Sequence, residues 1–292
     1  MASELSASVF VAPPVPMKGP DGHTVGTWPP IACTLIYGPK SAILVNTPFT
    51  TANTSALADW ISATIGQKKL VAVYISHGLG DFFFGLPTLR KRFPDVKAYC
   101  IRTTWEMMKA GVEPQAFKAF ASQFPGQIDD QPPAEYLAEV LPPSNKLDLD
   151  GHELQAIYVG QAAVPDSTIV WVPSLRMAVC GAVVYGAGHP MLAYCPTKEL
   201  RQAWISSIEK VEQLGPISIV CGHQKNGEVA GLWHLQRNKD YIETFGALIE
   251  TGQVKTAGDL IAAMTDKYPD RFNLDALVVS AQAAFREARP VE

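Results

Sequence analysis

Twice along this chain, clusters of short β-branched apolar runs give way to amphipathic helical stretches, so that the order reads β-rich, α, β-rich, α. That repeated order is the strongest constraint on its fold. Strands at Cys33–Gly38 and Ala42–Asn46 flank a Gly-Pro-Lys turn, and Leu70–Ile75 reads as a buried strand. Ala56, Leu57, Trp60, Ile61, Thr64 and Ile65 have helical spacing with one apolar face. A helix is expected to follow residue 82 and run to about Phe93, before a short strand at Val96–Cys100. Residues 102 to 138 read as helix with breaks.

The second half repeats the scheme. Lys146–Asp150 and Glu153–Val159 flank Asp150-Gly151, a hairpin signal. Thr168–Val172 and Met177–Cys180 are strands, and Lys198–Leu214 places Trp204, Ile205, Ile208 and Val211 on one helical face. Ile217–Cys221 is a strand, and the remainder is mainly helix, broken near Pro269. Two sheets packed together with helices outside, a four-layer α/β/β/α sandwich, is the architecture this order predicts. Residues 1-28, rich in proline, read as an extended arm. Residues 29-250 form the main domain, and 251-292 a helical extension packed on it.

Composition narrows the function classes. Hydrophobic residues make up 47% and charged residues 18% of 292 residues, which excludes a disordered or fibrous chain. The net charge of −4 and the lack of a basic run argue against nucleic acid as a partner. No apolar run approaches the roughly 18 residues needed to span a bilayer, so no membrane is expected. No basic start followed by an apolar core opens the chain, and a cytoplasmic location is the expectation. The five cysteines form no close pair, which predicts reduced thiols rather than a disulfide framework. With no secretory signal read, the Asn53-Thr54-Ser55 sequon carries little weight.

Loops at strand ends are where residues from distant segments converge. His77, Asp81, Gln161, Ala182 and His223 all lie at such points. Five landmarks there, in order, resemble the metallo-β-lactamase superfamily. Leu44-Val45-Asn46-Thr47-Pro48 resembles the family's strand ending in Asp. Ser76-His77-Gly78-Leu79-Gly80-Asp81-Phe82 resembles its Thr-His-x-His-x-Asp-His signature. Gly160-Gln161 with Pro165-Asp166-Ser167 resembles its Gly-His-x-x-x-x-Ser segment. Val179-Cys180-Gly181-Ala182 resembles the strand ending Gly-Asp, and Cys221-Gly222-His223 the closing Gly-His.

The resemblance implies the sandwich fold and, in the family, two metals held by seven ligand positions. At those positions this chain keeps His77, Asp81 and His223. Leu79, Gln161, Phe82 and Ala182 replace the other four. Zinc needs three or four N, O or S ligands, so the expectation is a site without metal or other cofactor.

Two His and one Asp converging in an apolar pocket suit general acid/base catalysis. His77 and His223 are expected to exchange protons with a small-molecule substrate, and Asp81 to orient one of them. Which His is acid and which is base stays open, as does a bland role for Asp81 as cap of the following helix. Leu79, Phe82 and Gln161 are expected to line the substrate site. Tyr185 is expected to donate a hydrogen bond, His189 to act as a further acid or base, and Lys225 to neutralise an anionic group. No Gly-x-Ser-x-Gly occurs, so a covalent serine mechanism is not indicated.

The leading expectation is an elimination, isomerisation or cyclisation of a mostly apolar oxygenated molecule. By analogy with the relatives resembled, its context is secondary metabolism. A hydrolase of lactonase or thioesterase type with one weak metal, and a non-catalytic binding protein, stay open as alternatives, as does homo-oligomerisation.

Overall fold

The computed structural model describes residues 5–229 and 231–287. Its first half runs β1 (Ser6–Ala12), β2 (Val15–Lys18), β3 (Thr24–Trp28), β4 (Ile31–Tyr37), β5 (Ser41–Val45), α1 (Thr51–Ile65), β6 (Lys69–Tyr74), α2 (Leu86–Arg92), β7 (Lys97–Cys100), α3 (Arg102–Gly111), α4 (Pro114–Ala121), α5 (Pro133–Tyr136) and β8 (Glu139–Val140). The second half runs β9 (Lys146–Leu149), β10 (His152–Gly160), β11 (Ser167–Val172), β12 (Met177–Val179), α6 (Lys198–Gln213), β13 (Ser218–Val220), α7 (Trp233–Glu250), α8 (Ala257–Lys267) and α9 (Leu274–Glu287). Among the described residues these strands form a six-stranded sheet, β1-β4-β5-β6-β7-β8, a five-stranded sheet, β13-β12-β11-β10-β9, and a separate β2-β3 hairpin.

Strand periodicity explains the layering. Successive side chains on a strand point to opposite faces. Ile36, Ile43, Val45 and Tyr74 of the first sheet share one buried cluster with Val170, Val172, Met177 and Val220 of the second. Their sequence neighbours Leu35, Leu44, Val73, Ile169 and Ile219 belong to the other cluster, with Leu57 and Ile61 of α1 and Trp204 and Ile208 of α6. Both faces of each sheet are therefore covered, the α/β/β/α sandwich read from the sequence. Among the described residues no helix is long and apolar enough to cross a membrane.

Two local differences have physical causes. Helix α1 starts at Thr51, five residues before its apolar spacing begins, because the Thr50 hydroxyl accepts the Asn53 amide and caps a polar first turn. The segment expected as an extended arm is extended but is not an arm. β1 pairs antiparallel with β4 along its whole length, from Ser6 opposite Tyr37 to Ala12 opposite Ile31, and the β2-β3 hairpin returns Trp28 toward the strand ends. The edge of β4 left open by β5 supplies the backbone partners that draw this segment in.

The C-terminal helices approach the same place. Ser280 of α9 accepts the Leu192 amide at 2.7 Å. Phe272 accepts the His189 amide at 2.8 Å. Asp275, in the first turn of α9, accepts the Thr27 amide from β3 at 2.8 Å. The segments before β4 and after α8 thus meet across the strand ends that carry His77 and His223.

Candidate active site

The His77 loop is anchored from beneath. Asn46, held in the left-handed region at φ 64°, accepts the Ser76 amide through Oδ1 at 2.9 Å. Gly181 passes under the same turn at φ 51°, and a β-carbon there would sit 2.5 Å from Ser76 Oγ, so only glycine fits without displacement. A single 3₁₀ turn, Gly80–Phe82, then presents Asp81. Helix α2 begins only at Leu86, so Asp81 does not cap it. The carboxylate faces inward instead.

His77, Asp81 and His223 come together, each less than 5% exposed. Oδ2 of Asp81 accepts the Trp28 indole N–H at 3.2 Å and lies 3.7 Å from Nε2 of His223. Oδ1 of Asp81 is buried with no hydrogen-bond partner among the described residues. His223 Nδ1 lies 2.9 Å from the Pro30 carbonyl, an acceptor, so Nδ1 carries the proton and Nε2 its lone pair. His77 has the opposite tautomer. Its Nδ1 accepts the Leu79 amide at 3.1 Å, which leaves the proton of the neutral ring on Nε2.

Burial sets the protonation states. It pushes His77 down to about 3, with neighbouring His223 lowering it further. It pushes His223 down to about 4 against the opposing hydrogen bond to Pro30. It pushes Asp81 up to about 7, a rise moderated by the Trp28 indole and by the nearby amides of Asp81 and Phe82. At neutral pH both imidazoles are uncharged, and the carboxyl is the group poised to gain or lose a proton.

These three groups form the floor of a cavity of about 390 Å³, within the range of small-molecule sites. Leu79 and Tyr185 line it as expected. Tyr185 is fixed by Asn238, which binds its amide at 3.0 Å and its carbonyl at 2.8 Å, and its ring lies 4.9 Å from that of His223. Burial raises the Tyr185 phenol well above its ordinary range, which keeps it a donor.

Four expected site residues lie elsewhere. Phe82 is fully buried beneath His77, the two rings stacked at 4.2 Å, so it supports the imidazole rather than walling the cavity. The Gln161 amide nitrogen is taken by the carbonyls of Ala162, at 2.8 Å, and Tyr194. His189 is packed in the core with Nδ1 at 2.8 Å from the Tyr241 hydroxyl. The Lys225 ammonium sits 5.1 Å over the Phe272 ring. In each case a local partner holds the side chain away from the cavity.

Residues not anticipated from the sequence complete the walls. Trp28 comes from β3, Phe120 from α4, Tyr194 from the loop before α6, and Asp275 from α9. The Trp28-Pro29-Pro30 segment is the one local signal for them, since it supplies both the indole on Asp81 and the carbonyl on His223.

The donor set does not fit the two-metal centre that the resemblance implies. Phe82 and Ala182 offer no donor atom, and the neutral His77 ring carries a proton on Nε2. The amide nitrogen of Gln161 is held by backbone carbonyls. Among the described residues, no group of three or more His, Cys, Asp or Glu side chains is arranged to hold a metal ion. Three groups with these hydrogen bonds fall short of the donor count and geometry of a zinc site.

Comparison with known proteins places the chain. The family model of the metallo-beta-lactamase superfamily matches residues 26–223. The chain is 22% identical over 213 residues to a metallo-beta-lactamase type 2 of Bacteroides fragilis, covering 72% of this chain and 74% of that protein. Among solved structures, a metallo-beta-lactamase family protein from Thermus thermophilus superposes with a TM-score of 0.63 at 16% identity, covering 96% of this chain and 93% of that one. A metallo-beta-lactamase from Pontibacter korlensis superposes with a TM-score of 0.54 at 15% identity, covering 83% and 96% respectively.

Proposed function

This chain belongs to the metallo-beta-lactamase superfamily, and from that premise we propose that it is an enzyme whose own side chains, rather than a metal, move the proton. The observation that carries this reading is the pairing of a buried Asp81 carboxyl with two imidazoles of opposite tautomer at the floor of an apolar cavity. The substrate is an apolar small molecule with a carbonyl group.

In the proposed step, the Asp81 carboxylate takes a proton from the carbon next to the carbonyl. The electron pair of that C–H bond moves into the carbonyl, and the developing oxyanion accepts a hydrogen bond from His77 Nε2–H. A neutral imidazole in this role stabilises the transition state without giving up its proton. His223 Nε2, unprotonated and 3.7 Å from Asp81 Oδ2, faces the carboxyl with a lone pair, so the proton taken from carbon stays on Asp81. Return of the proton to a different carbon is an isomerisation, loss of a leaving group from the adjoining carbon is an elimination, and attack on an internal electrophile is a cyclisation.

The Bacteroides fragilis relative, a metallo-beta-lactamase by name, keeps hydrolysis as a second reading. It would need water attack on a carbonyl, for which the donor set supplies no metal hydroxide. Binding without turnover is the third.

The test uses 2-tetralone and δ-valerolactone incubated with the protein in D₂O, with and without EDTA, followed by NMR. The proposal expects deuterium to enter at the carbon next to the tetralone carbonyl, unaffected by EDTA and lost in Asp81→Asn. Ring opening of the lactone that EDTA abolishes would overturn it in favour of hydrolysis. No reaction of either compound would overturn it in favour of a binding role.

A further inference from the structure

Between them, the cavity walls carry two carboxylates, Asp81 and Asp275, and no cation: none of the described lining residues is Lys or Arg. Four cations lie within two residues of the wall; Lys118, two residues before Phe120, is exposed and does not line the cavity, and the other three are turned elsewhere. Lys18, next to Met17 of the wall, bonds the Thr24 hydroxyl at 3.0 Å. Lys225, two residues after His223, sits over the Phe272 ring. Arg271, two residues before Asn273 of the wall, stacks on Tyr241 and Tyr268 and donates to the Gly188 carbonyl.

Most of the rest of the wall is aromatic or apolar, with Trp28, Phe120, Tyr185 and Tyr194 contributing rings, and its remaining polar groups, Gln123 and Asn273 among them, are uncharged. Aromatic faces attract cations, and a site walled by rings and carboxylates offers an anion only neutral donors in exchange for its lost water. Asp275 has one oxygen committed to the Thr27 amide and is only partly buried. A carboxylate accepts several hydrogen bonds at once, so a ligand ammonium can share it with that amide.

We propose that this cavity selects a neutral or amine-bearing aromatic-sized molecule and rejects anionic ones, with Asp275 as the residue that favours the amine. The inference rests on the reading that the cavity is the substrate site. It goes further in naming the charge class of the substrate, and it sets this site apart from one built for carboxylate-bearing compounds.

The experiment is isothermal titration calorimetry with three matched probes: tryptamine, 3-ethylindole and indole-3-propionate. Tryptamine is expected to bind about tenfold or more tightly than indole-3-propionate, with 3-ethylindole between them. Asp275→Asn keeps an acceptor for the Thr27 amide. It is expected to bring tryptamine down to the level of 3-ethylindole while leaving 3-ethylindole unchanged. Indole-3-propionate binding as tightly as tryptamine would overturn the proposal, as would a tryptamine preference that survives Asp275→Asn or a failure of all three to bind. The acid/base reading fails separately: Asp81→Asn is expected to retain the order of the three probes, and that order can hold even if no deuterium exchange is found.

Discussion

Trp28 donates its indole N–H to Oδ2 of Asp81 at 3.2 Å, across 53 residues of sequence. The contact joins the hairpin at the start of the chain to the acid/base candidate in the His77 loop. It stabilises the charged carboxylate, so it holds Asp81 below the value that burial alone would set. Trp28→Phe removes the donor and keeps most of the packing. The acid limb of the deuterium-exchange pH profile is expected to move to higher pH in this variant, and an unmoved limb would show that the indole does not act on Asp81.

His77→Phe tests the oxyanion role. Phenylalanine preserves a ring for stacking on Phe82 and removes Nε2–H. Loss of one such donor costs roughly a hundredfold to a thousandfold in turnover. Exchange measured at saturating 2-tetralone is expected to fall by about that factor. A fall smaller than about threefold would remove His77 from the chemistry, since even a single neutral hydrogen bond is worth about that much.

Stability should depend on pH through the same three groups, with opposing signs. His77 and His223 have folded values of about 3 and about 4 against 6.5 when exposed. The unfolded chain therefore binds their protons more readily, and their contribution raises stability as pH climbs from about 3 to 6.5. His189, pushed down to about 4, adds to the same slope. Asp81 does the reverse. The folded state keeps its proton up to about 7 while the unfolded chain releases it near 3.8, so stability falls as pH rises through that window. Each proton contributes a slope of about 1.4 kcal/mol per pH unit. In urea melts across pH, Asp81→Asn is expected to steepen the rise below pH 6.5 and to flatten the decline above it. An unchanged profile would show that Asp81 titrates alike in the folded and unfolded chain.

Gln161→Leu separates architecture from chemistry. The amide nitrogen is bonded to the Ala162 and Tyr194 carbonyls and does not line the cavity. Its loss is expected to destabilise the protein by about 1 kcal/mol and to leave exchange at saturating 2-tetralone unchanged. A turnover defect without a stability change would return Gln161 to the site.

The layered fold was readable because its signal is local. Short apolar runs in β4, β5 and β11 and helical spacing in α1 and α6 each lie within a dozen or so residues. The floor of the site was readable for a related reason, since His77, Asp81 and His223 follow strands that the apolar runs locate. The walls were not. Trp28 meets Asp81 and Asp275 meets Thr27 over separations of 53 and 248 residues, and no local pattern encodes such pairings. Direction was also hidden. Phe82, Gln161, His189 and Lys225 stand close in sequence to the landmark positions, yet stacking or a hydrogen bond holds each of them elsewhere. The division of labour between His77 and His223 likewise depends on whether a backbone amide or a backbone carbonyl faces Nδ1, which only the fold reveals.

On the proposed reading this site acts through its own side chains although it is built on the frame of a metal-binding superfamily. Elemental analysis by mass spectrometry, on protein from cells grown with zinc, iron and manganese and passed through gel filtration, tests it most directly. Fewer than about 0.1 metal ions per chain is the predicted result, because the donor set falls below what zinc requires. A stoichiometric metal that stays bound through gel filtration would contradict the account and make hydrolysis the leading reading.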